Sequence, residues 1–380
     1  MSSTTPHVLI CGAGPTGLTA AIELSRRGIG VTIVEKTAAP SPFSRAVGIN
    51  ARTLELLEAC GATEHLIDTG MKIERAVLFD NGRPFLDLDL TRIDHPRYPF
   101  ILSLPQDRTE TILAERLSSY GVTPLFNHTL DGFAVSGDRV SAEISSPDGP
   151  ITIEADYLFG ADGAHSVVRK ALDIPFVGER YPETWQLYDV TLSRHPGPGQ
   201  MNTFLGDGGA MLFTVQIGRD RYRLMENIEG PDIGLPAGCE IVETHWESEF
   251  HLSHRLVERY ADGPVFIGGD AAHIHPPAGG RGMNLGIEDA WEFSRRVSTG
   301  GLDSYATDRR AVGSAVVKQT DGFLRAMTLK NPLLRVLRNV GGKTIGRMAA
   351  AQRQTLSSMS GLDPDRTLPE TADGVSTGSP

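Results

Sequence analysis

The sequence predicts an α/β fold in which a parallel sheet is interleaved with an antiparallel sheet and followed by helices. Three features predict it. The chain opens with a strand, a glycine-rich turn and a helix; two later apolar strands end in an Asp-Gly or a Gly-Asp pair; and turn-separated strands fill the middle. Because ligands bind at the carboxyl ends of strands in parallel-sheet folds, the first two features indicate one shared site.

The elements follow from hydrophobic periodicity and turn residues, taken in chain order. Strands are predicted at His7–Cys11, Val31–Val34, Thr129–Val135, Arg139–Ile144, Ile151–Leu158, Trp185–Leu192, Ala210–Ile217 and Tyr222–Ile228. Amphipathic helices are predicted at Arg52–Ala59 and Asp107–Leu117, and the chain is mostly helical from Gly282. The polar tail from Asp363 is expected to be disordered.

Composition excludes several classes of function. The 380 residues exceed one ordinary core, so two domains are expected. The formal net charge of −11 argues against a nucleic-acid partner, whose binding depends on phosphate neutralisation. Cys11, Cys60 and Cys239 form no CxxC pair, so no disulfide framework or metal site is predicted and a cytoplasmic location is expected. No apolar run approaches the roughly 18 residues of a membrane span.

The glycine-rich turn has the form that a dinucleotide requires. Gly12 permits a tight turn, Gly14 leaves room for a pyrophosphate, and Gly17 lets the helix approach the strand. The helix N-terminus then favours the phosphates, and Glu35 at the end of the next strand can accept hydrogen bonds from a ribose. The cofactor-binding residues predicted here are Gly12, Gly14, Pro15, Thr16, Gly17, Glu35 and Lys36. This motif alone does not separate FAD from NAD.

Two later strands add one carboxylate each. The strand that begins at Tyr157 ends at Asp162, and the strand that begins at Val265 ends at Asp270. A glycine-rich segment, 277–284, follows the second strand and precedes a helix. Its bare backbone could pack against a flat ligand, and the helix N-terminus could stabilise negative charge on that ligand.

In this order the three motifs resemble the single-component FAD-dependent aromatic hydroxylases of the p-hydroxybenzoate and phenol hydroxylase family, nearest in pattern to the aromatic polyketide hydroxylases. The similarity extends from about Pro6 to Leu362. The resemblance implies a Rossmann-like FAD-binding domain over 1–74, 102–178 and 256–329. It implies an antiparallel substrate-binding sheet domain over 75–101 and 179–255, and C-terminal helices over 330–362, before the tail of 363–380.

The resemblance also implies roles for individual residues. Arg45 would lie along the pyrophosphate, Gln106 against the ribityl–phosphate region, and Leu130 against adenine through its backbone. Asp162 would support the pyrophosphate side, Asp270 would bind ribityl hydroxyls, and the last glycine-rich segment would wrap the isoalloxazine ring. The residues that the resemblance adds to the cofactor set are Arg45, Gln106, Leu130, Asp162, Gly269, Asp270, Pro277, Gly280, Gly282, Met283 and Asn284.

The family's reaction sets the expected function. NAD(P)H, a transient co-substrate, reduces bound FAD; O2 then forms a C4a-hydroperoxyflavin, which hydroxylates a phenolic or polycyclic aromatic substrate. Epoxidation, Baeyer–Villiger oxidation and a non-catalytic role as a flavoprotein partner stay open as alternatives. A monomer and a homodimer are both compatible with the sequence.

The substrate side is less defined by sequence. Candidates on the predicted strands are Tyr188, Phe213, Tyr222 and Arg223, although each also fits a packing or surface role. His273 and His275 are expected to be structural rather than metal ligands. Arg281 stands where the family usually has Gln, which leaves the substrate and the reaction outcome open.

Overall fold

A computed structural model describes residues 5–40, 46–194, 196–227, 234–236, 238–277 and 280–362. The predictions for Arg45 and for the tail from residue 363 lie outside these residues. The predicted α/β class is confirmed: a parallel sheet, an eight-stranded sheet, two small sheets and C-terminal helices make up the fold.

The parallel sheet carries the nucleotide-type motifs. Its order is β18 (Ala261–Asp262), β19 (Val265–Ile267), β12 (Tyr157–Gly160), β1 (His7–Cys11), β2 (Gly30–Glu35) and β8 (Leu125–Phe126). All neighbours are parallel except β18 and β19. Val8, Leu9 and Ile10 are fully buried, as a continuous apolar strand predicts, because helix α1 (Pro15–Arg26) and a small antiparallel sheet both pack on the parallel sheet. Because β1, β12 and β19 run parallel, the glycine loop and the two acidic turns that follow these strands lie at the same edge of the sheet.

The eight-stranded sheet forms the second part of the fold. Its order is β20 (His273–Ile274), β17 (Ile241–Val257), β13 (Phe176–Leu192), β16 (Arg221–Asn227), β15 (Met211–Gln216), β14 (Gln200–Leu205), β5 (Arg75–Asp80) and β6 (Arg83–Asp89). Only the β14–β5 pair is parallel. The domain boundaries predicted at 178/179 and 255/256 fall within β13 and β17 of this sheet and stay predictions.

Two small sheets and the helices complete the fold. The small sheets comprise β3 (Gly48–Ile49), β7 (Ile101–Ser103) and β4 (Met71–Ile73), and β11 (Gly149–Ala155), β10 (Arg139–Ser146) and β9 (Thr129–Ser136). The helices are α1 (Pro15–Arg26), α2 (Ala51–Leu56), α3 (Ala62–Thr69), α4 (Gln106–Ser118), α5 (Val167–Ala171), α6 (Arg281–Thr299), α7 (Leu302–Met327), α8 (Pro332–Arg347) and α9 (Ala349–Ser360). Across the described ranges, no helix combines the length and apolar character needed to cross a bilayer.

One predicted strand was wrong. The segment Ile151–Leu158 is divided at Asp156 between β11 and β12, which belong to different sheets. Asp156 donates its backbone N–H to the His7 carbonyl at 2.9 Å, and its carboxylate accepts the His7 N–H at 2.7 Å. These bonds turn the chain from the small sheet into the parallel sheet, an exchange that periodicity does not reveal.

Candidate active site

The three glycines of the first loop are required for different reasons. Gly12 has a φ of 104°, and a Cβ there would lie 2.3 Å from the carbonyl oxygen of Ala161. A Cβ on Gly17 would lie 1.8 Å from the carbonyl oxygen of Gly12, so helix and strand could not approach. A Cβ on Gly14 would meet no atom within 4 Å, and Gly14 lines a cavity. Two glycines therefore serve packing, whereas Gly14 leaves the cavity open.

Glu35 supports this loop from the neighbouring strand. Its Oε2 accepts the backbone N–H of Ala13 at 2.9 Å, and its Oε1 accepts that of Thr37 at 3.0 Å. Lys36 is exposed just beyond it. The carboxylate is thus held at the mouth of the glycine loop, at the end of β2.

Asp162 occupies the turn after β12. Its Oδ2 accepts the backbone N–H of Val167 at 2.6 Å and that of Val168 at 3.2 Å, so it caps α5. Its Oδ1 is buried and has no hydrogen-bond partner in the described chain. Burial, followed by the charges of Asp162 and Glu35, raises the pKa of the Cys11 thiol. The negative charges of Asp162 and Glu35 therefore both lie near Cys11, at the carboxyl end of β1.

Asp270 lies on a short 3-10 turn after β19, is exposed and lines the same cavity. The turn is anchored from α6, because the neighbouring Gly269 donates its N–H to Asp289 Oδ2 at 3.0 Å. His273 contacts the same oxygen at 2.7 Å, and Arg309 donates to Asp289 Oδ1 at 2.6 Å. His273 is thus engaged by a carboxylate within the protein.

The segment after β20 forms a second wall. Pro277, Gly280, Gly282 and Met283 line the cavity. Asn284, which we expected near a flavin edge, is buried: its Oδ1 accepts the Asn50 N–H at 3.0 Å, and its Nδ2 donates to the carbonyls of Gly48 (2.8 Å) and Gly280. Its side chain therefore ties the segment to β3 and α2.

Gln106 and Leu130 lie on two other elements, and Leu130 lines neither of the two cavities of the site. Gln106 begins α4, lines the cavity and donates to Glu110 at 2.7 Å. Burial raises the pKa of Glu110, and the bond from Gln106 partly offsets this. Leu130 is buried in β9, beside the irregular pairing with β10.

Two adjoining cavities lie on the inner side of the large sheet, and the first of them reaches the glycine loop. The first has a volume of about 390 Å³ and reaches from Gly14 and Thr16 to the inner face of the large sheet. The second, of about 890 Å³, lies between that face and helices α7, α8 and α9. The residues that line both are Met201, Phe213, Met225, Leu252, Pro277 and Met359. A polar ligand end can therefore lie at the loop while an aromatic group meets an apolar wall.

Of the four substrate-side candidates, Phe213 alone lines these two cavities in the described chain. Tyr188 and Tyr222 pack in a small cluster with Val190 and Leu224, on the opposite face of the sheet. Strand alternation causes this, since neighbouring residues face opposite sides. We therefore withdraw both tyrosines as substrate contacts.

Arg223 is also withdrawn as a substrate contact. It is buried, and its Nε and terminal nitrogen donate to the two oxygens of Asp189, each at 2.8 Å. Asp189 is its direct cross-strand neighbour. A third bond, to the Ala46 carbonyl at 3.2 Å, supports the segment that enters β3 and borders the first cavity.

The site fits a dinucleotide with a flat, apolar group. Helix α1 begins at Gly14 without a side-chain cap and without an acidic residue in its first turn, so its N–H groups are available to phosphates. No donor among the described residues reaches the buried Asp162 Oδ1, which is therefore a free acceptor at this point. Sequence reasoning missed Asp289, and the signal that could have indicated it is a carboxylate on the buried face of α6.

Comparisons with known proteins agree with this geometry. The profile of the FAD binding domain family matches residues 5–210 and 238–320. The 6-methylpretetramide 4-monooxygenase of Streptomyces rimosus is 32% identical over an alignment of 394 positions, which covers 94% of this chain and 69% of the relative.

Solved structures show the same likeness. Anhydrotetracycline hydroxylase from Streptomyces rimosus superposes with a TM-score of 0.80 at 29% identity, covering 97% of this chain and 78% of its own. The p-nitrophenol 4-monooxygenase from Pseudomonas putida gives a TM-score of 0.85 at 23% identity, and the match covers 94% of this chain and 98% of that one. At this identity the likeness is one of fold alone. The chain therefore belongs to the FAD binding domain family, among the FAD-dependent aromatic monooxygenases.

Proposed function

We propose that this chain uses NAD(P)H and O2 to hydroxylate a phenolic or polycyclic aromatic substrate at bound FAD. The observation that carries the proposal is the junction of the two cavities at Phe213 and Pro277, which joins a phosphate-compatible loop to an apolar chamber. FAD, when bound, supplies the hydride acceptance and oxygen activation that no amino-acid side chain provides.

The residues of the loop would hold the cofactor. The N–H groups at the start of α1, reached past Gly14, would bind the pyrophosphate, and Glu35 would turn towards the ribose. Asp270 would accept hydrogen bonds from ribityl hydroxyls. Arg45 along the pyrophosphate and Leu130 against adenine complete this assignment as predictions.

The segment 280–284 would set the depth of the flavin ring. Asn284 fixes Gly48 and Gly280 beside each other, and both glycines line the first cavity, so a ring against this wall would meet no side chain from either. Met283 would pack at its edge. An apolar wall here would exclude water from the reacting atoms, which limits loss of activated oxygen.

The second chamber would hold the substrate. About 890 Å³ is at the upper end of the range for small-molecule pockets, which supports a bicyclic or larger ring system. Relatives named for 6-methylpretetramide and anhydrotetracycline support the same class. The large sheet would form the floor of this chamber, and α7 to α9 its cover.

A matched pair of variants tests the assignment. Phe213 faces the cavities. Phe204, on the adjacent strand, packs instead with the small cluster of Tyr188, Tyr222, Val190 and Leu224 on the opposite face of the sheet. In the FAD-loaded protein, Phe213→Ala should raise the KM for a hydroxylated naphthalene or anthracene severalfold, while Phe204→Ala should leave it near wild type. Equal effects of both variants, or product without an added oxygen atom by mass spectrometry, would contradict the proposal.

A further inference from the structure

Helix α8 presents its polar side to the protein and its apolar side to solvent. On the inward side, Arg335 is buried and pairs with both Asp80 and Asp207. Arg338 lies 3.1 Å from the other oxygen of Asp80, and its guanidinium stacks over the ring of Phe85. These contacts hold the helix on the hairpin of β5 and β6, so its other side is fixed outward.

The outward side carries an apolar stripe. Leu333, Val336, Leu337 and Val340 follow the i, i+3, i+4 and i+7 spacing of one helix face, and they are 58–77% exposed. Leu334, which is 47% exposed, widens this stripe on one flank. Single exposed apolar residues are normal on a protein surface, whereas a contiguous apolar stripe is typical of an interaction site.

Two neighbouring glycines in the middle of α8 differ in their surroundings. A Cβ on Gly342 would lie 2.6 Å from the ring of Phe85, so the packing of α8 on β6 requires this glycine. A Cβ on Gly341 would meet nothing within 4 Å in the described chain beyond the helix itself. Glycine inside a helix costs stability, and Gly341 lies one turn after Leu337 on the exposed side. Its missing side chain leaves room for the close approach of a second helix.

The surface around the stripe carries charges of both signs. A specific interface buries about 800 Å² on each partner, which is more than one helical stripe provides, so the surrounding surface must take part. The exposed charged residues of this surface are Lys330, Lys343 and Arg347 on or beside α8, and Asp87 and Asp207 on the elements that α8 contacts. The cations of one copy can therefore meet the carboxylates of another copy, whereas a purely anionic partner would be repelled by the two carboxylates.

We propose that a second copy of this chain covers the apolar stripe, so that two α8 helices cross near Leu337 and Gly341 about a twofold axis. Such a contact uses the same surface on both copies, and the i, i+4 rows of two identical helices can interdigitate. Ile345 on the inward side of α8 lines the second cavity. The dimer would therefore hold one wall of that cavity in place.

The test measures the mass of the FAD-loaded protein by sedimentation velocity over about a hundredfold range of concentration, because a dimer dissociates by mass action. Leu337→Glu places a charge in the stripe of both copies. Val242→Glu is its matched control, since both residues are 65% exposed and Val242 lies on β17, near the opposite end of the sheet from β6. We expect a dimer for the wild type and for Val242→Glu, and a dimer weakened at least about a hundredfold for Leu337→Glu.

The glycine pair separates association from folding. Gly341→Ala should weaken the dimer roughly tenfold, because its methyl group would enter the helix contact. In the Leu337→Glu background, Gly341→Ala should raise the temperature of thermal unfolding, because alanine favours a helix over glycine. In the same background, Gly342→Ala should lower that temperature, because its methyl group would meet Phe85.

Four outcomes overturn the inference. A wild-type monomer at every concentration would exclude the dimer, and a dimer that persists in Leu337→Glu would place the interface elsewhere. A dimer unaffected by Gly341→Ala would contradict the crossing point. A monomer that binds vesicles of phosphatidylcholine and phosphatidylglycerol, and loses this binding in Leu337→Glu, would assign the stripe to a lipid surface instead.

Discussion

Asp289 on α6 accepts the backbone N–H of Gly269 at 3.0 Å and thereby fixes the turn that presents Asp270 to the cavity. Its second oxygen pairs with the buried Arg309 at 2.6 Å. Burial alone would raise the pKa of Asp289, but Arg309 and His273 outweigh it, so that the pKa is lowered. One buried ion pair therefore supports the turn that presents Asp270 to the cavity.

Asp289→Asn should destabilise the protein by about 1–3 kcal/mol, because Arg309 and His273 lose a charged acceptor while Arg309 keeps its ion pair with Glu288. Because the pKa of Asp289 is lowered in the folded state, its ionised carboxylate stabilises the fold at pH values above the unfolded-state pKa. This contribution is lost as the pH falls through the folded-state pKa. Urea unfolding from pH 7 to pH 2 measures both effects. A variant with wild-type stability and the wild-type acid slope would contradict this account.

The first glycine loop allows a separation of folding from binding. Gly12→Ala should destabilise the fold, because it combines a φ of 104° with a clash against the Ala161 carbonyl. Gly14→Ala should fold normally and bind less FAD, because its methyl group would enter the space left for the pyrophosphate. Thermal unfolding of the FAD-free proteins and FAD titration distinguish the two. The reverse pattern would exclude the assigned roles.

Asp270→Ala should weaken FAD retention tenfold or more, because the side chain would bond the ribityl chain. Asp262→Ala on β18 is a suitable control, since Asp262 pairs with Arg259 at the other end of the same hairpin. Flavin content after gel filtration reports the difference. Stoichiometric FAD in the Asp270 variant would remove Asp270 from the site.

His275 should make the protein sensitive to acid. Its folded pKa of about 3 lies below the ordinary value, so the unfolded chain binds a proton first and stability falls as pH drops from about 6.5 towards 3. His275→Phe removes this proton uptake and should flatten that part of the stability curve. Unchanged acid dependence between pH 6 and pH 4 would show that His275 is not buried as a neutral ring.

Local patterns in the sequence predicted the cofactor half of the fold well. The strand before Gly12, the helix after it and the helix at Gln106–Ser118 depend on apolar spacing and turn residues close in the chain. The hairpin of β5 and β6 and the strand β17 were missed. β17 carries exposed Glu, Thr and His residues that weaken its alternation.

The substrate half depends on contacts between distant residues. The face on which Tyr188 or Tyr222 points is set by the register of β13 with β16, which periodicity alone does not fix. The roles of Asp289 and Asn284 likewise require the position of α6 against the turn after β19 and against β3. Sequence identified the motifs, and packing determined which of their side chains face the cavity.

The most direct test is aerobic NAD(P)H oxidation by the FAD-loaded protein, with and without a panel of one- to four-ring phenols under ¹⁸O2. The account predicts that at least one phenol strongly stimulates oxidation and leaves as a product that carries one ¹⁸O atom. Bound FAD with no stimulation and no labelled product across the panel would contradict the assignment as an aromatic hydroxylase.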